Sequence, residues 1–484
     1  MIRPLLVLLL FSILVSCQNS KKNNEASSKE ESINTPTAKD DVKKNKGTEK
    51  KEEKNGGLYL PDGFSALVVV DSVGPSRHIA VNNNGDIYVK LRKPEGTHGN
   101  LALRDTTGDG KADIIKTFGD YPNDGTFATE MRIHNGYLYF SSEQMVYRQK
   151  LSPGKLIPES KPEVILIDQF PKRWHNAKSL AFDKKGYMYV TFSAPTNACE
   201  NFNAQGQVKG MRPCPGLEVL GSIWRFDENR TNQIQQDGEL YATGIRSMVA
   251  FSWNDTDNSL YGLQHGRDYL HNHAPQHYSK WHQAVLPAEE FMKIEQNDNF
   301  GWPYTYYDHF QNKRLVAPEY GGDGSMVADQ YKKPLMGLPA HWAPNDLLFY
   351  KGDQFPERYQ NGAFIAFHGS MNRAPYPQAG YIVAFIPFEN GKPKGTWEVF
   401  ADGFAKVEPI VSMPDAKYRP MGLSEGKDGS LYISESKQGK IWRVSFNGNP
   451  NFFGEAQLKK MEQRKSASHI RTPDKIKDDL SIKK

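Results

Sequence analysis

The stretch KDGSLYISE, Lys427 to Glu435, is a turn that feeds a strand. Gly429 suits the turn, because glycine takes positive φ without a Cβ clash. Leu431 and Ile433 then alternate with Tyr432 and Ser434. That period of two puts one face of a strand into a core. The same phrase recurs as NNGDIYVKL (83–91), HNGYLYFSS (134–142), KKGYMYVTF (184–192), DNSLYGLQ (257–264) and QNGAFIAFHG (360–369), six copies in all. A further strand often comes next, as in GSIWRFD (221–227), GYIVAFIPF (380–388) and GKIWRVSF (439–446). Self-similar strand–turn–strand units are the mark of a repeat architecture. The expected fold is all-β, a six-bladed β-propeller with long inter-strand loops. A β-sandwich or two β domains would use similar strands. The copies, however, run from near Gly57 to near Asn447 with no linker.

The bulk figures agree with one large β unit. The 484-residue chain carries 41 Gly and 30 Pro, which favours turns over long helices, and its 38% hydrophobic content is enough for a sizeable core. The net charge of +5 is small, and much of the basic excess sits at the two ends. No nucleic-acid partner is expected.

The ends read differently from the middle. MIRPLLVLLLFSILVSC has Arg3, an apolar run too short to span a bilayer comfortably, and then Cys17. Residues 14–17, LVSC, resemble the bacterial lipobox, whose cysteine is acylated. Residues 1–17 are therefore expected to be a lipoprotein signal peptide. The chain would be exported and held on a bacterial membrane by a lipid, without a transmembrane span. Residues 18–57 mix both charge signs and have almost no apolar residue, so they read as a disordered tether that gives reach. The propeller occupies 58–447, and 448–484 read as a polar tail. An exported compartment permits disulfides, and Cys199 and Cys214 bracket a Gly- and Asn-rich loop, so a disulfide is expected there. No C-x-x-C-H occurs, so no haem is carried by the chain itself.

Phrases along the middle resemble one family in their order: GFSALVVVDSVGPSRHIAVNNNGDIYV (63–89), WHNAKSLAFDKKGYMYV (174–190), ATGIRSMVAFSW (242–253), NFGWPY (299–304), AFHGSMNRAP (366–375) and YRPMGLSEGKDGSLYISE (418–435). They look like the soluble sugar dehydrogenases that use pyrroloquinoline quinone (PQQ), in particular the glucose/sorbosone dehydrogenase branch. The resemblance spans about residues 58–447 and implies a six-bladed propeller. It implies that His175 is the general base. That residue would take the proton of a sugar or aldehyde-hydrate hydroxyl while hydride passes to PQQ. An ordinary imidazole, neutral above pH 6.5, suits that task. It implies that Arg246, Arg373, Lys417 and Arg419 bind the carboxylates of PQQ, a task suited to guanidinium groups. Lys417 and Arg419 alternate on an extended segment and so would face one ligand. Ser247 stands where relatives have Asn. LQHGRD (263–268) resembles the loop whose backbone carbonyls, here of Gly266 and Arg267, hold Ca²⁺ against the quinone. Electrons would leave to a separate acceptor, a cytochrome or a quinone.

Two other stretches raise metal questions. DTTGDGKAD places Asp105, Asp109 and Asp113 at EF-hand-like spacing, but Lys116 stands where the bidentate Glu belongs. A second Ca²⁺ site and a plain Asp-Gly turn both fit. His265, His271, His273, His277 and His282 form a histidine-rich tract without regular ligand spacing, expected to lie at the surface. Two other functions would use the same fold. One is a non-catalytic cell-surface propeller that binds glycans or proteins. The other is a metal-dependent lactonase, which needs an axial carboxylate cluster that the sequence does not supply.

Overall fold

Each repeated phrase forms the turn and second strand of a blade of four antiparallel strands, to which two of the six blades add a short parallel fifth strand, and the six sheets make a propeller. The computed structural model describes residues 53–96, 98–122, 125, 129–170, 175–203, 206, 208–449, 453–467 and 469–471. The turn chemistry is clearest in the second blade. There His134 pairs with Tyr137 across Asn135 (φ 46°) and Gly136 (φ 76°). A two-residue loop with both φ values positive matches the right-handed twist of its strands.

The first strands, which start the blades, are Ser76–Val81, Met131–His134, Leu180–Phe182, Met248–Asn254, Pro344–Phe349 and Pro420–Glu425. The second strands are Ile87–Glu95, Tyr137–Ser141, Tyr187–Phe192, Ser259–Gln264, Ala363–Phe367 and Leu431–Glu435. The last blade borrows its outer strand from the other end of the chain. Phe64–Val70 pairs antiparallel with Ile441–Phe446, Phe64 opposite Phe446. Phe64 lies edge-on against Phe355, Tyr359 and Phe400, at 4.8, 5.3 and 5.1 Å between ring centroids.

Long insertions wall one side. The loop between the second and third strands of blade 3 holds the Cys199–Cys214 disulfide, with Cα atoms 5.9 Å apart. Blade 4 inserts two short helices, Leu270–His273 and Lys280–Val285, and a hairpin, Thr305–Asp308 with Lys313–Val316. Tyr320 joins the two insertions by donating to Ala198 O at 3.3 Å.

The polar C-terminal segment packs part of its length onto the ring. Glu455–Arg464 is a helix with Met461 buried, and Ile470 is fully buried. His469 Nε2 and Arg464 Nη2 both bind the Asp402 carboxylate, at 2.8 and 2.5 Å. At the other end, Trp442 Nε1 donates to Gly56 O at 3.1 Å, so the last tether residues already touch the ring. Cys17 lies outside the described residues, among which no helix is long and apolar enough to cross a membrane.

Candidate active site

In an antiparallel hairpin, the start of the first strand and the end of the second lie at the same edge. Every blade therefore sends two loops to one mouth of the ring. His175, Arg246, His341 and Arg419 stand just before first strands, and Arg77 is the second residue of one. His265, Asp268, His368 and Ser436 stand just past the ends of second strands, and Arg92 lies within one, Ile87–Glu95. Contacts within and between blades join the loops. His265 N–H donates to Ser247 O at 2.9 Å, and its Nε2 lies 2.8 Å from Pro344 O. His368 Nε2 lies 2.5 Å from Ser436 Oγ, and Arg419 donates to His368 O and Gly369 O at 2.9 and 2.8 Å.

The chain on the C-terminal side of His175 is pinned. Asn176 donates to Glu143 Oε2 at 3.0 Å, the fully buried Lys178 ammonium sits 2.5 Å from Asp168, and Ser179 Oγ donates to Val249 O at 2.8 Å. Burial first, and then Arg246 and His265, lower the His175 pKa to about 3, against the pull of Asp268. His265 is lowered to about 4 by burial, with Arg246 and Arg77 adding to it. His368 falls well below its ordinary value through burial and the charges of Arg419, Arg77 and Arg92. Burial and the surrounding arginines thus keep these three imidazoles neutral.

Arg246 donates to Gly266 O at 3.1 Å and to Asp268 Oδ2 at 2.9 Å. Asp268 also accepts from Asn372 at 2.8 Å and lies 3.3 Å from His341 Nδ1. Burial would raise its carboxyl, but Arg246, His341 and Asn372 outweigh burial and keep it well below the usual range. Gly266 N–H donates to the buried Glu289 at 2.8 Å, and a Cβ on Gly266 would stand 2.9 Å from Ala288 O. The Arg267 side chain turns away to Glu319 and to Asp268 O.

The structure gathers some expected residues and separates others. Arg246 and Arg419 join His175 at the mouth. Arg373 is buried, donating to Ala284 O at 2.6 Å and Pro377 O at 3.1 Å, and burial alone lowers it to about 10. Lys417 departs from expectation. It is exposed, with Nζ 5.2 Å from the Tyr418 ring centroid, while Arg419 is buried. The segment before Pro420 is a 3₁₀ turn at Met413–Asp415 and irregular chain, so the alternation of an extended strand does not apply. The Asp105 loop is a self-capped turn. Asp105 accepts from Gly108 and Gly110 N–H, both at 2.7 Å, Asp113 from Thr106 N–H at 2.7 Å, and Asp109 from Lys111 N–H at 2.8 Å. Among the described residues no three His, Cys, Asp or Glu side chains gather as a metal site. The histidine tract is half-buried rather than superficial, apart from the exposed His277. His265 reaches the mouth, His273 pairs with Glu319 at 2.6 Å, and His282 caps its helix through Ser279.

Sequence reasoning does not place Arg77, Arg92, His265, His368 or Asp268 at the site. Arg77 carries a usable signal, since it opens a first strand much as Arg246 and Arg419 precede theirs. The donor set fits a flat polyanion. Arg77 Nε, Arg246 Nε and Ser247 Oγ are buried without a partner among the described residues. Calcium fits less directly, because Arg246 already occupies the Gly266 carbonyl.

A six-bladed ring with cationic loops converging on one mouth defines the class, and sequence comparison gives the family. The profile of the family described as TrAA12-like matches residues 58–447, and the chain belongs to that family. An uncharacterized protein of Borreliella burgdorferi is 28% identical over 212 residues, which is 43% of this chain and 49% of that one. The match thus spans about half the length of that relative. Among solved structures, the holo form of the pyranose dehydrogenase PQQ domain from Coprinopsis cinerea superposes with a TM-score of 0.63 at 17% identity, covering 80% of this chain and 97% of that one. The calcium structure of the Trichoderma reesei Carbohydrate-Active Enzymes Family AA12 protein gives 0.63 at 16%, covering 81% and 97%. The apo-form of the soluble aldose sugar dehydrogenase from Escherichia coli gives 0.51 at 17%, covering 79% and 99%. At these identities the likeness is one of fold.

Proposed function

We propose that the protein is a PQQ-dependent oxidoreductase that oxidises a sugar at its anomeric hydroxyl, or an aldehyde hydrate, and passes electrons to an external acceptor. The observation that carries this reading is the set of buried arginines around a neutral His175. Arg77, Arg373 and Arg419 are each lowered by burial, and among the described residues no carboxylate offsets it. Buried cations without a counter-charge are costly, so the arrangement suits a bound polyanion. Arg246 and Arg419 would hold the carboxylates of PQQ, with Arg373 beside them, and Ser247 Oγ offers a further donor. When bound, the quinone supplies the acceptor for a hydride.

His175 would take the hydroxyl proton of the substrate. A base must be unprotonated and close to the proton it receives. Burial and Arg246 keep the imidazole unprotonated at ordinary pH, and Asp268 favours the imidazolium as it forms. The loops that carry the site exclude water from its floor. Ca²⁺ would take the Gly266 and Arg267 carbonyls, with Arg246 releasing the first. Export and lipid attachment through Cys17 would hold this chemistry at a membrane.

The test is reconstitution of the purified protein with PQQ and Ca²⁺, with a dye-reduction screen over aldoses and aldehydes. Saturable PQQ binding with dye reduction on any of them is expected. Failure to bind PQQ would sink the reading and leave a binding propeller in its place.

A further inference from the structure

The phrase LPAEEF, residues 286–291, puts two acids at the start of the third strand of blade 4, Glu289–Ile294, and both are buried. Glu290 pairs with Arg314 and accepts from Gln264 at 2.9 Å. Glu289 forms no ion pair among the described residues. Each of its oxygens takes one backbone N–H instead: Oε2 accepts from Gly266 at 2.8 Å and Oε1 from Ala343 at 2.9 Å. Those N–H groups belong to the two turns that lead to arginines at the mouth. The Gly266 carbonyl accepts from Arg246 at 3.1 Å. On the other side, the Ala343 and Trp342 carbonyls accept from the N–H groups of His368 and Gly369, at 3.0 and 2.9 Å. The carbonyls of His368 and Gly369 in turn accept from Arg419, at 2.9 and 2.8 Å. Hydrogen bonds and short backbone links thus run from Arg246 through Glu289 to Arg419. The second turn needs holding. His341 and Ala343 both adopt the left-handed backbone, at φ 63° and 54°, which is costly for residues with a Cβ. Gly266 is hemmed in as well, since a Cβ there would stand 2.9 Å from Ala288 O and 3.0 Å from Pro287 O.

We propose that Glu289 is a positioning residue: its carboxyl group ties the Gly266 turn to the His341–Ala343 turn and so sets the spacing of Arg246 and Arg419. The inference rests on the function proposed above, in which these two arginines hold the carboxylates of PQQ, and it names the residue that spaces them. A flat, rigid ligand with carboxylates at fixed positions is sensitive to that spacing, and groups that contact a ligand are only as well placed as the bonds behind them. Glu289, 1% exposed, acts through the two turns. His175 is held separately, through Asn176 on Glu143 and Ser179 on Val249 O. Loss of the Glu289 tie should therefore loosen cofactor binding and spare the proton transfer.

The test is Glu289→Gln in the full chain. Glutamine keeps the shape and one acceptor oxygen but turns an amide NH₂ towards the other N–H, so one of the two ties breaks. PQQ should bind roughly ten-fold more weakly, equivalent to about 1.4 kcal/mol, while kcat at saturating PQQ stays near that of the parent. Phe64→Ala is the control for stability alone: it weakens the outer strand of the last blade and should leave PQQ affinity unchanged. Parent-like PQQ affinity in Glu289→Gln would overturn the proposal. So would losses of affinity in both variants that follow their urea midpoints. Amide hydrogen exchange gives a second measurement. Adding PQQ to the parent should slow the Gly266 and Ala343 amides together, which decides the matter even where Glu289→Gln does not fold; no change at either amide would overturn the tie. If the parent binds no PQQ, the oxidoreductase reading fails, and exchange in the cofactor-free variant decides the rest. Faster exchange that reaches His368 and Gly369 as well as Gly266 and Ala343 keeps the tie. A change that stops short of His368 and Gly369 removes it.

Discussion

His175 reaches the mouth as an uncharged ring, and that state sets what its removal does. His175→Ala takes away a proton acceptor and leaves Arg246, Arg373 and Arg419 in place. Turnover should fall on the order of 10²- to 10⁴-fold, about 3 to 5 kcal/mol of transition-state stabilisation. PQQ titration of the variant should match the parent. Near-normal turnover would make His175 a packing residue. The histidine can be picked out from its place before Leu180-Ala181-Phe182. Its neutrality cannot, because the burial that chiefly sets it, and then the charge of Arg246 from another blade, arise only when the ring closes. The same limit explains Lys417 and Arg419. Their spacing suggests a shared direction, but the irregular backbone before Pro420 sends one to solvent and the other inward. Arg77 escapes notice because a lone arginine in PSRHIAV looks like a surface charge until its neighbours are in place.

The strands are legible wherever a Gly or Asn turn feeds an alternating run, because local turn chemistry and period-two burial suffice to define a hairpin. The Phe64–Val70 strand closes the last blade, and nothing local predicts that partner. Its anchor is Phe64, edge-on to four other aromatic rings. Phe64→Ala removes that anchor from a fully formed core and should cost about 3 to 5 kcal/mol. The loss would appear as a lower urea midpoint, and an unchanged midpoint would show that the closing strand contributes little. The insertions of blades 3 and 4 are the least legible. Their interior depends on pairs such as His273 with Glu319, formed by residues that read singly as polar and exposed.

Acid should weaken the folded ring. His175, His265 and His309 are lowered to about 3, 4 and 4, in each case chiefly by burial, from an unfolded value of 6.5. As pH falls below 6.5 the unfolded chain takes up protons that the folded chain refuses, so stability is lost. Glu289, raised by burial to about 7, acts in the opposite sense, since its stabilising proton is lost as pH rises from 4.5 towards 7. Glu290 and Glu425, also raised by burial, act with Glu289, but with His368 the lowered histidines are four against three, so the urea midpoint of the cofactor-free chain should be lower at pH 5 than at pH 7. An equal or higher value at pH 5 would contradict this. Attachment to a membrane is tested by metabolic labelling with a fatty-acid probe: label is expected on the parent and lost in Cys17→Ser, and equal label in both would exclude the lipid. The ring closure also bears on the order in which the chain is made. Ser65 and Asn447, bonded in the finished blade, lie 382 positions apart, so the first strand must wait for nearly the last. Until then Phe64–Val70 is an apolar edge with unpaired backbone groups, the kind of edge that joins other chains. A ribosome or export channel that releases the chain from its N-terminus exposes that edge throughout synthesis. A helper that shields residues 64–70 until Ile441–Phe446 emerges would therefore raise the yield of closed rings more than one acting on any later blade.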